Sequence, residues 1–479
     1  MKKALVLLIL TAFVGCNAAT AKAFSPAELG EVSITMMWWG NDSRHAAVNA
    51  ALDLFESRFP NVTVFRNGRN FGGYQDFLYV DAINGQLSDV FQLGYGWLTD
   101  FDEFLLDLRN VAHVLDLSEF SDGPVDMSPF ALNDLGEIVA FPLGVNGRVI
   151  VYNRDILAEY GLSTLPQTLP ELFVLGELFA ENANFTDSFL EFDEFNMNDL
   201  ILTWLYNETG KPLITDGKIS YSVAEVEAVF WAFFGLLASY TLGWDSLDGG
   251  GGASTVGWNA ELERFRLNRP QHQPNDQRRT DRAGAVSLNV EQIFQIVSHN
   301  DGVLAFMGDV ENQDDMGIAL FPPLTDGGGQ AVLHQPTSMF GISERTEQPE
   351  LAAFLLNWLL TDEDALRLLG GEFGVLGTRT AWDFSVHEGL VAPPIVELME
   401  MLGELEFAAI PSFALDSEMV FRGKMAVIWD FIGGRYAEWA VIGGERQLIL
   451  NATQAAEDWI NLQNEVLQEW HDEREIHLE

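Results

Sequence analysis

Cysteine occurs once in the 479 residues, at Cys16, so no disulfide can form within the chain and stability must come from burial. Lysine is scarce: beyond Lys2 and Lys3 only Lys22, Lys211, Lys218 and Lys424 remain. Against 26 basic residues stand 71 acidic ones, a formal net charge of −45. A field of that sign excludes general nucleic-acid binding, which needs clustered Lys and Arg to displace phosphate counterions. It also argues against docking on anionic lipid. The acidity fits two readings equally, a saline habitat whose salt screens self-repulsion or a compositional drift of the proteome. Past residue 15 no run of about 18 apolar residues occurs, so no later segment reads as a membrane span. Catalytic patterns are missing too: there is no G-x-S-x-G elbow, P-loop, G-x-G-x-x-G or H-E-x-x-H. The eight histidines are scattered without ligand spacing, so neither a metal nor a cofactor is expected. With 71 carboxylates, closeness of two in sequence says nothing about glycosidase chemistry.

Apolar residues, by contrast, are plentiful. They make up 48% of the chain, with 13 Trp and 34 Phe, enough for packed cores and too many for disorder. The length exceeds what one core usually supports, so two lobes are expected. At the N-terminus, Met1-Lys2-Lys3 precedes residues 4–14, apolar except for Thr11, and then Gly15-Cys16 and the polar Asn17. That order reads as a secretory signal, too short to anchor in a bilayer. The Gly15-Cys16 junction resembles the lipobox of bacterial lipoproteins, which implies a signal peptide over 1–15 and lipidation of Cys16. A rival cut follows Ala21-Lys22-Ala23, giving a signal over 1–23 and a soluble product. Either reading exports the chain.

The remainder alternates strand-like and helix-like segments, the mark of an α/β architecture. Residues 33–39 form an apolar strand. Val48, Leu52, Phe55 and Phe59 recur at helical spacing over 45–59, and Pro60 stops that helix. Residues 62–64 alternate as a strand, a second helix covers 74–83, and 89–93 is a third strand. Such a start predicts a parallel sheet with its ligand chemistry at the carboxyl ends of the strands. Thr168…Glu171 and Ser222…Glu225 read as capping boxes opening helices. Residues 349–360 and 362–369 predict a helix pair broken near Thr361, and 455–470 the last long helix. Four consecutive glycines lie within 248–254, and six arginines within 264–282. Both segments read as surface loops, the second either a docking patch or, more simply, a neutraliser of nearby carboxylates.

Several short motifs run in one order along the chain. They include Met37-Trp38-Trp39-Gly40 with Arg44-His45, Ser88-Asp89-Val90-Phe91-Gln92, and Phe141-Pro142-Leu143-Gly144-Val145-Asn146 running into Val151-Tyr152-Asn153-Arg154-Asp155. Leu165-Pro166-Gln167-Thr168, residues 302–308, residues 316–323, Gln335-Pro336-Thr337-Ser338 and the helices of 350–369 continue the series. Together they resemble the family 1 sugar-binding proteins of bacterial ABC importers, similar to maltose-binding protein. The resemblance implies a two-lobe periplasmic-binding-protein fold of type II, each lobe a parallel-rich sheet flanked by helices with the ligand cleft between them. It places 31–142 and 317–360 in the N-terminal lobe, and 146–316 and 362–479 in the C-terminal lobe.

The function so implied is an extracytoplasmic receptor, not an enzyme. It would be a monomer that closes on a neutral mono- or oligosaccharide and presents it to the membrane permease of an ABC importer. An exported glycoside hydrolase or lyase, and a sensory receptor of the same fold, are the alternatives. Sugars suit such a cleft because their CH faces stack on aromatic rings while planar polar groups take the hydroxyls. Strand-end positions then nominate Trp39 as a platform, with Asp42, Arg44 and His45 beside it; of Trp38 and Trp39, one is expected in the core. Tyr74, Gln92, Tyr95, Asn146 and Ser338 complete the first lobe and its hinge. In the second lobe the candidates are Trp204, Trp258 and Asp309, the last standing where the family commonly has an aromatic residue after its 302–308 strand.

Overall fold

The computed structural model describes residues 24–133, 135–146, 148–181, 190–191, 194–239, 241, 288–292, 316–325, 328, 333–374, 376–391, 393–404, 408–409, 427, 430, 435–442 and 445–478. Cys16, Trp258, Asp309, the glycine run and the arginine-rich segment lie outside the described residues.

Strand β1 (Val32–Trp39) is buried on both faces from Met36 onward, as a central strand must be. It is flanked in parallel by β2 (Val62–Arg69), in register from Val32↔Val62 to Trp39↔Arg69, and by β3 (Val90–Leu93). Helix α1 (Asp42–Arg58) joins β1 to β2. Asn41 caps it by accepting the Arg44 N–H at 3.0 Å, and Val48, Leu52 and Phe55 are its buried stripe. Helix α2 (Tyr74–Ile83) joins β2 to β3, starting behind Gly73, whose φ of 76° is strained for any residue with a side chain.

β4 (Phe141–Pro142) closes the sheet together with the late strand Met339–Ile342, in the order β2, β1, β3, Met339–Ile342, β4. The late strand runs antiparallel to both β3 and β4, so β3 and β4 point the same way and end at one edge. The chain leaves from that edge through β5 (Val145–Asn146) and comes back through the strand Leu333–Pro336, paired antiparallel through Gln335↔Asn146. A third passage runs beside them, where Leu376 bridges Gly144 and the Gly377 N–H donates to the Leu143 carbonyl at 2.9 Å.

Beyond the crossing, β6 (Arg148–Asn153) is central to a second sheet, with Met316–Ala319 on one side and Leu288–Gln292 on the other. Both neighbours are antiparallel; the parallel pair is Leu288–Gln292 with Leu190–Glu191. The expectation of a parallel-rich sheet thus holds for β2-β1-β3, while the described strands of the second sheet are mostly antiparallel. Two core clusters follow the two sheets, the first also taking in Val149 of β6. The first gathers Trp38, Phe55, Phe91, Phe101 and Phe141, and the second Trp204, Phe230, Phe233 and Trp459.

Sheet and core membership bear on the expected lobe boundaries. Met316–Ala319 hydrogen-bonds to β6 and so belongs to the second sheet. Leu366, Leu369 and Phe384 pack into the first core, while the helix Pro393–Glu404, whose Leu398 and Leu402 join the same cluster, also packs on Met316–Ala319 of the second sheet. The helix pair is Pro349–Thr361 and Glu363–Leu369, broken where Asp362 accepts the Asp364 and Ala365 N–H groups and pairs with Arg58 at 2.7 Å. Ser222 and Glu225 form the expected reciprocal cap: the Glu225 carboxylate accepts the Ser222 N–H at 2.7 Å and the Ser222 hydroxyl accepts the Glu225 N–H at 3.4 Å. Among the described residues no helix is long and apolar enough to cross a membrane.

Candidate functional site

The edge from which the crossing strands depart also carries the ends of β1, β2 and β3, and the aromatic residues converge there. Trp39, nine-tenths buried at the end of β1, has Tyr74 edge-on at 5.0 Å, Trp97 at 5.4 Å and Phe71 at 5.8 Å between ring centroids. Phe71 and Trp97 lie nearly parallel at 6.2 Å, 20° apart. Phe71 is 62% exposed, so this aromatic group has a solid base and an open rim. An apolar ledge of this kind offers π faces to the CH side of a sugar ring.

Beneath the ledge, the polar candidates tie the sheet together. Gln92 is fully buried, its Oε1 accepting the Trp39 N–H at 3.1 Å and its Nε2 donating to Ser338 Oγ at 2.8 Å. The Tyr74 hydroxyl donates to the Gln92 carbonyl at 2.8 Å, and burial holds the phenol's pKa well up although that hydrogen bond opposes it. Tyr95, in the turn after β3, is likewise buried, edge-on to Phe130 at 5.2 Å, and burial raises its pKa. Arg44 lies beneath Trp39, donating to its carbonyl at 3.2 Å and resting over the Phe373 ring at 5.1 Å. Burial lowers the Arg44 pKa while the charge of Glu372 opposes the shift.

The structure therefore brings Trp39, Arg44, Tyr74, Gln92, Tyr95 and Ser338 to one sheet edge, but gives most of their polar atoms to the fold. Asp42 is exposed on the first turn of α1. His45 is on the opposite face of the sheet from Trp39, edge-on to the core residue Trp38 at 6.0 Å, with Nδ1 buried and without a hydrogen-bond partner. Gly68 makes room for it, since a Cβ there would come within 2.8 Å of that nitrogen. Trp204, expected as a ligand-facing ring, is placed in the second core, fully buried, its indole N–H donating to the Pro322 carbonyl at 2.9 Å. The Asn146 backbone is in the crossing strand β5, opposite Gln335.

Sequence reasoning passed over Phe71, Trp97, Phe77 and Arg69. The signal was available in Asn70-Phe71-Gly72-Gly73 and Gly94-Tyr95-Gly96-Trp97, each an aromatic residue in a glycine turn just past a strand. A hollow of about 70 Å3 lined by Gly85, Asp89, Phe104 and Arg345 opens at the opposite ends of the strands, away from this ledge. Among the described residues no group of His, Cys, Asp and Glu is placed to hold a metal.

Two sheets, two core clusters and paired crossing strands define the class: a two-lobe periplasmic-binding-protein fold of type II. The family model of the bacterial extracellular solute-binding proteins matches residues 40–366, and the chain belongs to that family. Among solved structures it is similar to the periplasmic solute binding protein ECA2210 of Pectobacterium atrosepticum. The TM-score is 0.70 at 19% identity, covering 91% of this chain and 99% of the other. It is similar too to a periplasmic oligogalacturonide binding protein of Yersinia enterocolitica, with TM-score 0.66, 20% identity and coverage of 92% and 99%. The melibiose/raffinose/stachyose-binding protein MelE of Bacillus subtilis is 26% identical over 167 residues, 34% of this chain. That match spans only 36% of MelE.

Proposed function

We propose that the protein is an extracytoplasmic receptor that captures a mono- or oligosaccharide by lobe closure and delivers it to an ABC importer, with no chemistry of its own. The observation that carries this reading is the aromatic ledge of Trp39, Phe71 and Trp97 at the sheet edge beside the crossing strands, in a chain of the solute-binding family. The ledge supplies stacking area, and closure would exclude water, so that a sugar hydroxyl left unpaired costs about 1–3 kcal/mol. The ligand stabilises the closed state only to the extent that it binds that state better. MelE is named for melibiose, raffinose and stachyose and the Yersinia protein for an oligogalacturonide, which supports a carbohydrate as the solute class here.

In this reading the permease subunits are the membrane partners and the receptor works as a monomer. Cys16 carries the lipid that keeps it at the cell surface. One acyl chain binds a membrane only marginally, so the tether requires more than one. Intact mass of the mature protein tests the tether: a chain beginning at lipidated Cys16 supports it, and one beginning after Ala23 refutes it. The receptor role is tested by thermal shift against melibiose, raffinose, stachyose and digalacturonic acid, with product analysis. A raised melting temperature without breakdown supports it, because a ligand of the native state alone stabilises by mass action. Turnover would instead establish a hydrolase or lyase.

A further inference from the structure

Building on the receptor reading, on which it rests, we infer that the saccharide carries a carboxylate, as a uronic acid unit does, and that Arg69 is the residue that receives it. Arg69 ends β2 directly opposite Trp39 in the parallel register, and its carbonyl accepts the Gly40 N–H at 2.9 Å. Its guanidinium lies over the ring of Phe77 at 4.0 Å, and its charge reaches the phenol of Tyr74. It is thus fixed beside the aromatic ledge, on a rigid strand end and a helix face.

Its isolation is what points to a ligand. The chain holds 71 acidic residues against 26 basic ones, so an arginine without a carboxylate is the exception. Arg58, Arg66, Arg109, Arg367, Arg379 and Arg435 each have a carboxylate within 4 Å. Arg44 has the opposing charge of Glu372 nearby. Among the described residues Arg69 has none, although Asp76 and Asp81 sit on the adjacent α2, and its Nε is buried without a hydrogen-bond partner. Arg154 and Arg345 also lack ion pairs among the described residues, but both are exposed to water.

A half-buried guanidinium offers donors only, in a planar fork that matches a carboxylate edge-on. A neutral sugar could accept its hydrogen bonds but would leave the charge uncompensated when closure removes water. A uronate supplies both acceptor and counter-charge while its pyranose CH face rests on Phe71 and Trp97. An acidic sugar is thus the inference set against the neutral one that the sequence reading expects.

The test compares digalacturonic acid with the α-1,4-linked galactose disaccharide, which has the same ring skeleton without the carboxylates. Calorimetry and thermal shift would be run on the mature chain, Arg69→Ala and Arg69→Lys. The expected result is tighter binding of digalacturonic acid by the unaltered protein. Arg69→Ala should weaken it roughly tenfold or more while changing the neutral disaccharide by less than about twofold. Arg69→Lys keeps the charge and the packing stem but loses the fork, and should fall between. Equal or tighter binding of the neutral disaccharide, or equal losses for both ligands in Arg69→Ala, overturns the inference and leaves the receptor reading standing. Absence of any shift with these and the melibiose-series sugars overturns both.

Discussion

The Gln92 amide donates to Ser338 Oγ at 2.8 Å, across 246 residues of sequence, while its carbonyl oxygen accepts the Trp39 N–H at 3.1 Å. One buried side chain thus joins the end of β1, the body of β3 and the segment returning from the second lobe. Gln92→Leu keeps the volume but leaves two polar groups without partners. It should cost about 1–3 kcal/mol for each group left unsatisfied, read by urea unfolding. Ser338→Ala added to it should cost less than its effect alone, because the partners are coupled. Full additivity would show that the bond contributes little.

Phe71 separates stability from binding. Its ring is 62% exposed, so Phe71→Ala should leave the stability of the free protein nearly unchanged, within about 0.5 kcal/mol. The rise produced by a bound saccharide should shrink. Trp39→Ala, nine-tenths buried under the same ledge, should lose about 3–5 kcal/mol of stability as well. A Phe71→Ala variant that keeps the full ligand-induced shift would remove Phe71 from the site.

How much of this was legible from sequence varied with what each signal encodes. Helix α2 falls on the expected 74–83, because Gly73 before it and Asn84-Gly85 after it mark both ends of one apolar run. The Ser222–Glu225 cap is equally local and equally readable. β2 continues past Val64 to Arg69 because β1 pairs with it residue by residue, a contact its polar tail does not advertise. The packing of Leu366, Leu369 and Phe384 into the first core was hidden for a related reason: an apolar stripe shows that a helix is buried, not which core buries it. Polar candidates such as Gln92 and Tyr74 were found by strand-end position, yet position cannot tell a ligand contact from a hydrogen bond that ties strands. Arg69 was invisible because its separation from carboxylates among the described residues is a property of the fold, not of the sequence.

Trp204 illustrates the same ambiguity and can be tested directly. Trp204→Phe removes the indole N–H that donates to the Pro322 carbonyl and should cost about 1–3 kcal/mol. Trp204→Ala opens a cavity in the second core and should cost about 3–5 kcal/mol. In both variants the saccharide-induced shift, measured from each variant's own baseline, should match the unaltered protein. A selective loss of binding in Trp204→Phe would return the residue to the ligand site.

Glu225 sets a pH dependence at the mouth of the helix Val223–Ala238. Its carboxylate accepts the Lys211 Nζ at 2.6 Å and the Ser222 N–H and hydroxyl at 2.7 and 2.9 Å. Burial raises its pKa, but these hydrogen bonds and the lysine charge outweigh that, so the folded-state value lies below the ordinary glutamate range. A carboxyl with a lowered folded-state pKa binds its proton more readily when unfolded, so its stabilisation is fully present above the ordinary range. It fades as pH falls through that range and is gone below the folded-state value. Because Lys211 is 42% exposed and Glu225 30%, water screens the pair and the expected contribution is modest, about 0.5–1 kcal/mol. Glu225→Gln preserves a capping side chain without the charge. Denaturant unfolding of the two proteins should show a constant gap near neutrality that closes in acid. A gap that persists in acid would mean that the loss arises from packing rather than from ionisation.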